Sequence, residues 1–67
     1  MRDQILDVMS RELDMPELSE EDSLMVIDLV EEDRVTEAIS RELGITIYER
    51  FTGETVAGYI DMVMSYM

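Results

Sequence analysis

An all-α fold is predicted by three features of this sequence. Apolar residues recur at helical spacing in three stretches, stop signals follow two of them, and no alternating run is long enough to build a sheet. The chain has 67 residues, 46% of them hydrophobic. That share is too high for a disordered acidic tail, and the length suits one compact domain over residues 1–67.

The first stretch, Met1 to Leu13, puts Ile5, Leu6, Met9 and Leu13 on one face, with Asp3, Asp7 and Arg11 elsewhere on the wheel. An amphipathic helix is expected there. It ends at Asp14-Met15-Pro16, because proline disfavours helical geometry in the residue before it and has no N–H to donate. In the polar run Pro16 to Ser23 that follows, Ser19 and Asp22 have the spacing of a helix-start capping pair, so helix is expected to begin near Ser19. Leu24 to Val30 is almost continuously apolar, and beyond it lie Glu31-Glu32-Asp33-Arg34 and then the helical positions Val35, Ala38, Ile39 and Leu43.

Two arrangements fit this middle region. One long helix covers about Ser19 to Leu43, or a buried loop or turn over 24–30 precedes a helix from about Glu31. In the second arrangement, Glu31, Glu32 and Asp33 fall where the helix dipole favours negative charge. Gly44 supplies a left-handed stop, with Ile45 beyond it as the accompanying apolar contact. Ile45-Thr46-Ile47-Tyr48 is expected to be an extended connector that plugs the core with its isoleucines, followed by a short irregular helical turn near Tyr48 to Thr52. The last helix, Thr55 to about Tyr66, has Val56, Tyr59, Ile60, Val63 and Met67 on one face, broadened by Ala57 and Met64, and is expected to be the most buried.

The composition excludes several chemistries. With no cysteine and no histidine, there are no disulfides, no thiolate zinc site and no cysteine- or histidine-based catalysis. No acidic stretch has the ligand pattern of a calcium loop, and paired carboxylates on so small a bundle lack the concave surface that glycosidase chemistry needs. Neither a metal nor an enzymatic activity is expected. No apolar run approaches the ~18 residues of a membrane span, and the start of the chain is not a signal-peptide core, so a cytoplasmic protein without membrane insertion is expected.

The net charge is -12, from 17 Asp and Glu against five Arg. Such a field repels nucleic-acid phosphate and attracts basic protein surfaces. It also permits mimicry of DNA, which no residue spacing supports. Glu31, Glu32, Asp33, Glu37 and Glu42 follow one segment, as an acidic ridge for basic partners or as a solvated face supported by Arg34 and Arg41. The seven methionines suit either a pliable, cargo-accepting core or ordinary gap filling, and those near the C-terminus leave monomer or homodimer open.

Three segments together resemble the acyl carrier protein family across the whole chain. They are Pro16 to Leu24, Glu42-Leu43-Gly44-Ile45-Thr46-Ile47, and Glu54 to Val63, which are similar to that family's first loop, second-helix end with connector, and fourth helix. The resemblance implies a small bundle of three main helices plus a short irregular one, four in all. It also implies an acyl or aminoacyl carrier that holds cargo as a thioester on 4'-phosphopantetheine, in fatty acid or polyketide biosynthesis. The family attaches the arm to the serine of an Asp-Ser-Leu motif opening the second helix, which makes Ser23 of Asp22-Ser23-Leu24 the candidate. Glu31, Glu32, Asp33 and Glu37 would dock to a phosphopantetheinyl transferase, ligase or synthase.

Register leaves a second parse open. Counting back from Gly44 by the family's second-helix length reaches Leu29, and counting forward from the first helix reaches the neighbourhood of Arg34; on this parse Ser23 is a loop serine in a carrier-like fold without a prosthetic group.

Overall fold

The computed structural model describes residues 1–24, 28–48, 50–51 and 53–67. Three helices are present among them: α1 (Arg2–Leu13), α2 (Leu29–Leu43) and α3 (Val56–Met64). The three expected stripes are the three helices, and together they form a small helical bundle. The Cα radius of gyration of 10.5 Å agrees with the roughly 11 Å of a folded chain this long. The expected fourth helix does not appear at Tyr48, Arg50 or Phe51, which are irregular; Glu49 and Thr52 lie outside the described residues.

α1 closes with Asp14 in the left-handed region at φ 54°, and the Met15 N–H donates back to Ser10 O at 2.9 Å. This six-to-one bond ends the helix before proline is reached, with an aspartate where glycine is usual. α2 ends on Gly44 at φ 68°, and the Ile45 N–H donates to Ser40 O at 3.2 Å. Ile45 and Ile47 then pack, partly buried, against the core, as the connector requires.

The single long helix from Ser19 is not formed: α2 opens at Leu29, two residues earlier than the second arrangement expected, and residues 25–27 of the expected buried loop lie outside the described residues. Asp28 caps α2, accepting the Glu31 N–H at 2.8 Å. No helix starts at Ser19. The Ser19 N–H does donate to Asp22 Oδ2 at 2.9 Å, the bond of a capping pair, but the Asp22 N–H returns to Ser19 O and closes a turn. The Glu20 and Asp22 carbonyls face another helix, as described below, so they are not available to continue one here.

The core comprises Ile5, Val8, Met9 and Leu13 of α1, Leu18 and Leu24 of the first loop, Val35, Ala38 and Ile39 of α2, and Val56, Tyr59, Ile60 and Val63 of α3. With four of nine residues buried, α3 is the most buried helix. Its expected stripe runs too far, however. Met64, the last residue of the helix, and Met67, in the turn beyond it, are exposed. Met9 is buried and Met62 is packed against the core, whereas Met25 lies outside the described residues.

α1 lies against both other helices. α2 and α3 are linked through long side chains, as where the Tyr59 hydroxyl pairs with Thr36 Oγ1. Phe51 packs edge-on to Tyr59 at 5.5 Å between ring centroids, and its ring covers Gly53, where a Cβ would stand 2.5 Å from Phe51 Cζ. A side chain at Gly53 would require the Phe51 ring to shift.

Candidate functional site

Ser23 is exposed and lies in the loop, six positions before the first residue of α2. It forms an isolated antiparallel bridge with Thr55. Around that bridge the Leu24 N–H donates to Glu54 O at 2.8 Å, the Val56 N–H to Asp22 O at 2.9 Å, and the Ala57 N–H to Glu20 O at 2.9 Å. The Gly58 N–H donates to Thr55 Oγ1 at 3.1 Å.

These bonds occupy the first three N–H groups of α3, which are otherwise orphaned at a helix start. A phosphodiester on Ser23 would therefore find the N–H groups of the adjacent helix start already taken, although such groups are what suits a helix opening to phosphate. The expectation that Asp-Ser-Leu opens the second helix is corrected on this point. Asp28-Leu29-Val30 opens it, and the Asp28 carboxylate occupies the cap.

The four predicted docking carboxylates divide by position. Glu32 is largely covered and pairs with Arg50 at 3.2 Å, and the more exposed Asp33 pairs with the same guanidinium at 3.2 Å. Glu31 is half-buried and Glu37 is exposed, and neither has an ion pair among the described residues. The arginines expected to support this face are used differently. Arg34 donates to the Glu12 carbonyl at the end of α1 at 2.9 Å, and Arg41 forms no ion pair among the described residues.

The remaining arginines act as staples between elements. Arg2 joins Glu20 of the first loop to Asp61 of α3, with Nε 3.1 Å from Glu20 Oε1. The bond to Glu20, followed by that to Asp61, raises the Arg2 pKa, and the same bond lowers that of Glu20. Arg11 joins Glu42 of α2 at 2.9 Å and Asp7 of its own helix at 3.3 Å. Three of the five cations thus pair with acids that tie the fold together, and the net charge is left to the outer surface.

Sequence reasoning missed Leu29 and Val30. The apolar run over 24–30 suggested burial, yet these side chains are 63% and 72% exposed. Met25, Val26 and Ile27 lie outside the described residues. The signal was Asp28 itself, which precedes Glu31 by the three residues of a capping pair and marks Leu29 as the first helical position.

Two hollows flank these features. One, of about 440 Å³ and open to solvent, is lined by Met15, Pro16, Glu17, Leu18 and Asp22 beside Ser23. A smaller polar one, about 230 Å³, lies among Glu32, Asp33, Thr36, Ile47, Tyr48 and Arg50. Among the described residues no group of three or more carboxylates could hold a metal ion, and no helix is long and apolar enough to cross a membrane. Comparison of the chain with protein-family models, curated proteins and solved structures returns no match.

Proposed function

We propose that this chain is an acidic protein-interaction module: a carrier-like helical bundle without a prosthetic group that docks basic partner proteins through the outer face of α2. The observation that carries this reading is the start of α2 at Asp28-Leu29, where the resembling family would have its modified serine. Leucine offers no hydroxyl for a phosphodiester. The acidic field and the carboxylates of α2 favour an enzyme or regulator with an Arg- and Lys-rich surface, in the cytoplasm, and the module needs no catalytic chemistry of its own.

Incubation with a phosphopantetheinyl transferase and coenzyme A, read by intact mass, tests the absence of the prosthetic group. No mass gain is expected. A gain that disappears in Ser23→Ala would establish the second reading, a carrier bearing 4'-phosphopantetheine on Ser23. Two observations favour that alternative: Ser23 is exposed, and the residue before it, Asp22, lines an open hollow with Met15, Pro16 and Leu18.

A further inference from the structure

With no tryptophan and no cysteine in the chain, its three tyrosines are the side chains that give up a single electron most readily. Their surroundings differ. Tyr59 is buried, edge-on to Phe51 and paired through its hydroxyl with Thr36. Tyr48, in the connector after α2, is 83% exposed and lies beside the polar hollow of Arg50. Its ring meets that of half-buried Tyr66, in the turn after α3, at 6.3 Å between centroids and a tilt of 45°. That spacing lies within the range at which aromatic side chains pair. The backbone holds both rings in place: Ile47 packs against the core beside Tyr48, and the Tyr66 N–H donates to Val63 O at 3.0 Å.

We propose that Tyr48 and Tyr66 are a modification site, which a one-electron oxidant such as a peroxidase supplied with hydrogen peroxide joins into an intramolecular dityrosine. Each phenol loses one electron and its hydroxyl proton, leaving a phenoxyl radical whose unpaired electron is shared with the ring carbons next to the oxygen. A carbon–carbon bond then forms between Cε of Tyr48 and Cε of Tyr66. The hydrogens on the joined carbons move to the oxygens and restore two phenols. The protein loses two hydrogen atoms, and one hydrogen peroxide is reduced to two waters.

The net charge of -12 favours coupling within one molecule, because it keeps a second copy away while the partner ring is already adjacent. The new bond ties the connector after α2 to the end of α3. A chain without cysteine thereby gains the kind of covalent staple that a disulfide supplies elsewhere, restricting the unfolded chain.

The test is treatment of the whole chain with a haem peroxidase and limiting hydrogen peroxide. Intact mass should show a monomer that has lost two hydrogens, with the blue fluorescence of a biphenol. Cleavage by trypsin after Arg41 and Arg50 should leave residues 42–50 joined to 51–67. The yield should be the same in dilute and concentrated protein. Tyr48→Phe and Tyr66→Phe, each checked as folded by circular dichroism, should abolish the product, whereas Tyr59→Phe should retain it. The cross-linked protein should melt higher by on the order of 10 °C.

Covalent dimers that grow with protein concentration, or a product retained in either Tyr48→Phe or Tyr66→Phe, would overturn the site. So would gain of oxygen at methionines with no loss of hydrogen. A midpoint that does not rise would show that the bond captures a distorted form, and would overturn the pairing as a native feature.

Discussion

Tyr59 couples the stability of this fold to pH in the alkaline range. Its burial raises the phenol from an ordinary value near 10 to about 12, a rise opposed by the Thr36 hydrogen bond and reinforced by the nearby charges of Glu32 and Asp33. Because the folded value lies above the unfolded one, the associated stability is complete below about pH 10 and is lost as pH rises toward 12, by about 1.4 kcal/mol for each unit. Urea midpoints measured from pH 8 to 12 should fall along that course, and Tyr59→Phe should flatten it. Asp14 makes the opposite kind of prediction. A left-handed aspartate is strained relative to glycine, and its charge opposes the dipole at the end of α1. Asp14→Gly should therefore stabilise the protein by about 1 kcal/mol in chemical denaturation.

At the scale of elements, the sequence foretold most where periodicity and a stop signal agreed. The stripes of α1 and α2 and the glycine at 44 were legible because burial on one face and a left-handed stop leave local traces. Three features were not. The Ser19–Asp22 pair makes the bond of a helix start, but the same bond closes a turn, and only the distant α3 decides which. The run from Leu24 to Val30 looks uniformly buried, since an apolar residue reads alike whether it faces a core or solvent. That ambiguity is why Leu29 and Val30 escaped notice while Asp33 and Glu37 did not. Met64 and Met67 continue an apolar stripe through the end of α3 and into the turn after it, where periodicity does not tell how far the core extends. For α3 itself, Ile60→Ala should cost about 3 kcal/mol through the cavity it leaves, against about 1 kcal/mol for Thr55→Ala, which removes a cap. Thermal melts of the two variants would rank them.

The whole molecule carries far more negative charge than its ion pairs neutralise. Screening weakens the Arg2, Arg11 and Arg50 pairs, but it weakens repulsion among the many remaining carboxylates more, so added salt should raise the thermal midpoint. Melts between low salt and about 1 M sodium chloride test this, and a falling midpoint would mean that the pairs dominate. The main-chain bonds from residues 20–24 to the opening of α3 bear on the order of assembly. At nine residues that helix is shorter than the ~12–15 at which a peptide helix begins to hold in water. Its first amides are quenched by carbonyls more than thirty positions upstream. The C-terminal segment thus lacks autonomy: a synthetic peptide of residues 53–67 should be unstructured by circular dichroism, and the amides of Leu24, Val56 and Ala57 should exchange with solvent in step.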